Sequence, residues 1–412
     1  MKLRFTLAVL AVSASLQAQT PSAQPSLVTT SLTVREAYDD NVFLQSATAL
    51  SDHESLVSSV ALNISATSQT GPEFKATLSY APEMVVFHSE KTENHLDHRV
   101  ALNLAGKCGA WVWEAQNSVL AINGKNEGPS FLPGGDIPAL GGIPLRDRRD
   151  ADIYRNGVKA TYTQGAWFVR PQFNAYVHDF QTVEHARVGA YAGYENFVSR
   201  SEVSGALDVG RKINSGLWLV GSYRYGHQQQ KKLLGVKSPY SNNYQRLLVG
   251  VEGTVTPWLK ASVLVGPDLR DFDANPNPAF NRKEELYFLD STLTFTPTKT
   301  DTVTLTARRY EQPAFSSHSV YEDIVYDLAW RHQCASQVTA ALGVKVYEGD
   351  WQGPVNREDW VYTYSASVSR AFTKQLSGDI AYSYDTVVSD IPNTSAREFR
   401  RQILSVGLKY TF

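Results

Sequence analysis

Beyond its first dozen residues the chain has no run of about 18 apolar residues, the length a helix needs to cross a bilayer, so a helical membrane protein is excluded. Charge of one sign is missing too: 39 Lys and Arg stand against 41 Asp and Glu, a net charge of -2, and nucleic acid is not an expected partner. Cysteine and methionine are down to 2 each. No serine motif with a positioned histidine is present, so no nucleophilic hydrolase can be assembled on paper, and the chain is expected to be neither an enzyme nor a cofactor carrier.

What is present is aromatic and alternating. There are 21 Tyr and 17 Phe at a mean hydropathy of -0.28. The last ten residues, Ile403 to Phe412, place Leu404, Val406, Leu408, Tyr410 and Phe412 on one face of a strand and Ser405, Gly407, Lys409 and Thr411 on the other. The same pattern recurs in segments of about ten residues along nearly the whole chain, as in an all-β transmembrane barrel with an apolar outside and a wet inside. The N-terminus suits that destination. Lys2 and Arg4 precede the apolar stretch Phe5 to Val12, followed by small residues and Leu16-Gln17-Ala18, which reads as a signal peptide over 1–18, cleaved after Ala18. A Ser/Pro/Gln-rich tail over 19–28 then leads into a barrel over 29–412.

Turns give the strand count. Short ones are expected near Gln69–Pro72, Gly106–Gly109, Gln164-Gly165, Asn214–Gly216, Thr256-Pro257, Pro297–Lys299, Gln333–Ala335 and Phe372–Lys374. Longer polar segments separate them: Asp39–Glu54, His88–His95, Asn123–Asp150, Asp179–Arg200, Gln230–Asn243, Asp271–Glu284, Gln312–Ser319, Asp350–Arg357 and Ser389–Glu398. About eight turns and about nine loops make a single antiparallel transmembrane barrel of about 18 strands, with short periplasmic turns and long outer loops. Val188 to Phe197 can also be read as a strand extension or a strand pair, which leaves 16 strands as the alternative. Cys108 and Cys334 fall in short turns far apart in strand order, beyond disulfide reach, although free thiols are odd in an oxidising compartment.

The faces sort the charges. With Trp360, Tyr362, Tyr364, Ala366 and Val368 facing lipid, Thr363, Ser365, Ser367 and Ser369 face in; with Leu217, Leu219, Gly221, Tyr223 and Tyr225 outside, Ser222 and Arg224 are inside. Arg99, Lys159, Arg170, Arg246, Lys260, Arg308, Arg331, Lys345 and Lys409 then point inward, joined by Arg35 and Lys75. Glu114, Asp208, Glu252, Asp290, Asp327 and Asp379 form a smaller inward acidic set. A charge on the lipid face costs about 2–4 kcal/mol near the midplane, which is the pressure that would leave this sorting. An excess of inward Lys and Arg favours anions.

Two loops imitate metal sites. Asp271 to Asn277 copies the first ligands of a calcium loop, but Pro276 stands where glycine is needed and Arg282 where the bidentate Glu belongs. His88, His95 and His98 lie near Glu90, Glu93 and Asp97 and offer zinc ligands, yet solvated carboxylate-rich loops are far commoner than metal sites. No metal is expected at either.

The stretch Leu32-Thr33-Val34-Arg35-Glu36-Ala37-Tyr38-Asp39-Asp40-Asn41-Val42-Phe43 resembles the opening strand and loop of the exopolysaccharide-associated outer-membrane β-barrel porins, and terminal Phe412 is similar to the assembly signal of outer-membrane proteins generally. The resemblance implies a Gram-negative outer membrane, with outer-membrane lipid, lipopolysaccharide and the barrel-assembly machinery as partners. It also implies a porin-like channel for hydrophilic solutes, with an exopolysaccharide or another anionic solute as cargo; no catalytic residue carries over. A structural or adhesion barrel without an open channel is the competing reading, and a barrel-embedded hydrolase ranks third. In porins the third outer loop folds inward to narrow the channel. By that resemblance Asp136, Arg146, Asp147, Arg148 and Arg149 in Asn123–Asp150 are constriction candidates, with Arg170, Arg224, Arg246 and Arg308 lining the pore.

Overall fold

The computed structural model describes residues 27–44, 53–71, 73–124, 150–181, 183–186, 188, 196–273, 281–315, 318–352, 356–390 and 398–412. The signal peptide and almost all of the tail lie outside these residues, as do Asp136 and Arg146 to Arg149. The strands are β1 (Leu27–Asp39), β2 (Ser55–Thr70), β3 (Phe74–Phe87), β4 (His95–Cys108), β5 (Trp111–Gly124), β6 (Ala151–Gln164), β7 (Trp167–Phe180), β8 (Arg200–Lys212) and β9 (Leu217–Gln230). They continue as β10 (Asn242–Thr256), β11 (Leu259–Phe272), β12 (Lys283–Phe295), β13 (Asp301–Pro313), β14 (Val320–Ala335), β15 (Val338–Trp351), β16 (Arg357–Ala371), β17 (Leu376–Ser389) and β18 (Phe399–Thr411).

Each strand pairs antiparallel with its chain neighbours, and β1 pairs with β18, so 18 strands close into one ring. Closure matters because an open edge leaves backbone N–H and C=O groups without partners. All eight expected turns fall at one end of the barrel and all nine longer connections at the other. Between Phe180 and Arg200 no described residue is in a strand, which decides for 18 over 16. At Gly165 the tight β6–β7 turn needs a φ of 57°, a region where a side chain is strained. Gly250 answers a close approach instead: a Cβ there would meet the Val263 carbonyl oxygen of β11 at 1.6 Å.

Registers fix the faces, because residues directly opposite each other share one. Leu404, Val406, Leu408 and Tyr410 are about half exposed on the outside, and Val34 and Leu32 of β1 sit opposite Leu408 and Tyr410 on that same face. Inward, Arg35 of β1 reaches Asp379 of β17 at 2.8 Å and Ser405 of β18 at 2.7 Å. The registers place on the inner face every charged residue assigned there from the sequence. Outward charges such as Glu36, Arg309, Glu348 and Glu358 sit toward the long-loop ends of their strands. Leu328 is 46% exposed on the apolar belt, and its neighbour Ala329 faces the lumen. Leu328→Arg should therefore block folding into lipid vesicles at a cost of about 2–4 kcal/mol, whereas Ala329→Ser should be nearly silent. Equal yields of folded barrel on a gel-shift assay would break this register.

Candidate functional site

The site is the lumen, and its two ends differ. Toward the short turns the inner face is polar and open to water: Lys159 and Glu114 pair at 3.1 Å with side chains 47% and 41% exposed. Lys260 and Lys409 also face this space and Arg308 borders it from higher on β13, opposite Val325; all three are exposed and make no ion pair among the described residues. Arg170 of β7 donates to Asp208 of β8 at 2.9 Å and to Glu252 of β10 at 2.6 Å, tying three strands across the wall. A recess of about 260 Å³ above this level is lined by Arg155, Asn174, Tyr176, Glu202 and Ser204, among others.

Midway up, the charges become dry. Arg246 and Arg270 share the carboxylate of Asp268 at 3.0 and 2.8 Å. Arg270 also donates to Gln228 at 2.7 Å and Asn242 at 3.2 Å, and its Nε lies 3.7 Å from Glu311. The side chains of Arg270, Asp268 and Glu311 have no exposed surface at all. Tyr244 lies beneath both guanidinium groups, 4.1 Å from that of Arg246 and 5.3 Å from that of Arg270, and donates its hydroxyl to Glu202. Arg224 is half-way to this layer, 5.3 Å above the ring of Phe288. Such a cluster survives burial because each cation is paired and hydrogen-bonded.

Toward the long loops the lumen is filled. Inward Phe180 of β7, Tyr321 and Val325 of β14, Tyr347 and Trp351 of β15, Val361 of β16, Val387 of β17 and Phe399 of β18 form one buried apolar cluster. Ala151 of β6, Leu44 of the β1–β2 connection, Phe197 of β7–β8 and Ala314 and Phe315 of β13–β14 complete it. Since β7 and β16 stand half-way round an 18-strand ring from each other, this packing crosses the bore. Phe315 is 2% exposed and is held on all sides: 4.7 Å from His178, 5.7 Å from Phe180 and 3.7 Å beneath the guanidinium of Arg200. Its carbonyl accepts from Val198 N–H at 2.5 Å, Arg200 donates to Pro313 O at 2.7 Å and Gln230 to Ala314 O at 2.7 Å. Opposite, Arg401 anchors the mouth by donating to Asp39 at 3.0 Å. Above the plug, burial lowers the His318 imidazole below its ordinary value and pushes the Tyr240 phenol up to about 12.

This layer departs from the uniformly wet lumen expected from sequence. The signal was consecutive apolar residues at the strand tops, as in Val387-Val388, Trp360-Val361-Tyr362 and Ile324-Val325-Tyr326, which put hydrophobic side chains on both faces. Arg170, Arg224, Arg246 and Arg308 all face inward as assigned, but Arg170 and Arg246 are engaged in ion pairs, and of the four only Arg308 is exposed and without an ion pair among the described residues. The constriction residues of the Asn123–Asp150 loop lie outside the described residues.

The metal imitations resolve into other partners. Arg282 donates to Asp271 at 3.1 Å and Lys237 pairs with Asp273 at 3.5 Å. His95 turns to the Glu93 carbonyl at 2.8 Å, His98 to Tyr80 at 2.8 Å and Glu90 to His53 at 2.7 Å. Among the described residues no three His, Cys, Asp or Glu converge on a metal position. Cys108 and Cys334 are free and exposed. One outward group imitates a hydrolase: Ser58 Oγ lies 2.7 Å from His88 Nε2 and 2.6 Å from Glu36. Glu36 sits on the serine and on the same ring nitrogen, at 3.8 Å, rather than behind the imidazole. The strand amides beside it are spent in β-pairing, so an oxyanion has no donors.

No family model matches the chain, and no curated protein matches it. Among solved structures it is similar to the outer membrane protein OpdK of Pseudomonas aeruginosa, at 11% identity and a TM-score of 0.46, covering 94% of this chain and 99% of that one. It is also similar to OccAB4 of Acinetobacter baumannii, at 12% identity and a TM-score of 0.46, covering 96% and 100%. A third is the siderophore receptor PirA of Acinetobacter baumannii, at 8% identity and a TM-score of 0.48, covering 93% and 80%.

Proposed function

We propose that this chain is an outer-membrane channel of a Gram-negative bacterium that passes hydrophilic solutes, with its short turns in the periplasm and its long loops outside. The observation that carries the reading is the combination of an apolar belt outside the closed ring with a wet, charged vestibule inside it, entered from the short-turn end. A barrel serving only as a surface scaffold has no need of a vestibule lined by Lys260, Arg308 and Lys409. The finer cargo reading is an anionic polysaccharide leaving the cell, supported by the Leu32–Phe43 resemblance and by these free cations.

Single-channel recording in planar bilayers tests it. Openings should prefer chloride over potassium, mildly, because basic side chains lower the barrier to anions. Changing Lys260, Arg308 and Lys409 together to Gln should bring the permeability ratio toward unity, and high salt should mute the preference, since screening acts within about 8 Å at physiological ionic strength. Cation preference in the native barrel would contradict the lumen assignment, and no conductance under any condition would favour the adhesion reading. Phe412 packs 5.0 Å from Tyr410 and donates its N–H to Thr30 O across the closing seam. Its deletion should lower the outer-membrane yield on fractionation without reducing secretion into the periplasm; unchanged yield would remove it as an assembly signal.

A further inference from the structure

The upper part of β13 does not follow its neighbour. Pairing between β12 and β13 stops at Leu289 opposite Arg309, although β12 extends to Lys283 and β13 to Pro313. β14 stays with β13 as far as Val320 opposite Pro313 and with β15 as far as Tyr321 opposite Trp351, so β13 leads an inward-bent edge of the wall that continues through β14 into β15. The direction is inward. Arg309 faces outside, where it meets Glu322 at 2.6 Å, yet Glu311, on the same face of the same strand two residues later, is buried against Arg270, which projects from the inner face of β11. The outer face of upper β13 therefore rests on the inside of the wall. Its end reaches β8 and β9 through the Arg200 and Gln230 bonds to Pro313 and Ala314.

We propose that this inward-bent β13 edge, flexing with the tops of β14 and β15 to which it stays joined, is a gate of the channel, closed when it leans on the β7–β9 wall and opened when β13 zips onto the free edge of β12. The proposal rests on the channel reading. An unpaired strand edge holds N–H and C=O groups ready for a partner, and the upper six residues of β12 offer such an edge beside a strand long enough to take it. Closure trades those backbone pairs for the Arg200, Gln230 and Val198 bonds and the burial of Phe315. Two packings that satisfy the same groups by exchange are what a bistable element needs. β13 bends at Arg309-Tyr310, where its pairing with β12 ends. Extending the Leu289–Arg309 register by three residues sets Leu286 opposite Gln312.

Two disulfides test the gate in a chain carrying Cys108→Ser and Cys334→Ser. Leu286→Cys with Gln312→Cys should form a bond only with the seam zipped, and Val198→Cys with Phe315→Cys only with the plug seated. Oxidation should raise the open probability of the first pair at least tenfold over its reduced form and abolish openings of the second. It should leave the cysteine-free parent unchanged. Hydrogen exchange at the Val198 amide supplies a readout independent of conductance, because that N–H is spent on Phe315 only in the closed form; it should speed up at least tenfold when the seam is locked. A seam disulfide that fails to form, or that forms while Val198 stays protected, overturns the gate. Fast Val198 exchange in the seam-locked barrel with no conductance keeps the gate and overturns the channel.

Discussion

Phe315→Ala should turn a barrel that is shut most of the time into a leaky one, with open probability in planar bilayers rising more than tenfold. The side chain is the innermost part of the plug, in ring contact with His178 and Phe180 and stacked under Arg200. A buried Phe→Ala change removes about 3–5 kcal/mol of packing. Here the loss falls on one arrangement of the mouth rather than on the strand ladder, which keeps every hydrogen bond it has. A shift of even about 1.4 kcal/mol in the balance between closed and open is tenfold in population. Phe173→Ala is the matched control, since that ring is 47% exposed on the outer face and should leave gating alone. Uptake of antibiotics too large for ordinary porins should rise in cells carrying the first variant and not the second. Equal conductance of the two variants would mean that Phe315 does not hold the mouth.

Arg270→Met should cost about 3–5 kcal/mol of barrel stability in urea unfolding from lipid vesicles, because it leaves Glu311 buried without its cation and Asp268 with Arg246 alone. Arg270→Lys should recover only part of this. A lysine carries the charge but cannot hold Asp268, Gln228 and Asn242 together through one planar group. Adding Glu311→Gln to Arg270→Met should restore stability, since the second change removes the orphaned charge. A loss below about 1 kcal/mol for Arg270→Met would show that water reaches this layer, and with it that the dry middle of the lumen is misassigned.

Much of the architecture was legible because it depends on local chemistry. Gly165 and Gly109 force turns, and alternation over each segment fixes which side chains share a face, so strand number and the inward charges followed. The plug was not legible for the same reason. Period two separates Tyr347 from Val346 and Val387 from Val388, but when both members are apolar it gives no sign of which faces lipid. Nor does spacing show that Arg170 spans three strands to Glu252, or that β13 leaves β12 after Arg309. Those are consequences of ring closure and of connections that fold back into the bore. The expected constriction in Asn123–Asp150 belongs to residues outside those described, whereas the closure that is visible comes from Leu44, Phe197 and Phe315 on other connections.

The most direct test is the sidedness of access to the lumen. Ser367 faces the vestibule in the short-turn half, opposite Ala341 and Ala381 on the same inner face. In a chain carrying Cys108→Ser and Cys334→Ser, a Ser367→Cys thiol should react with a bulky membrane-impermeant maleimide added from the periplasmic side. In intact cells it should stay unlabelled when the reagent is outside, and adding Phe315→Ala should let that outside reagent in. Rapid labelling from outside with Phe315 intact would contradict a lumen closed at its outer mouth.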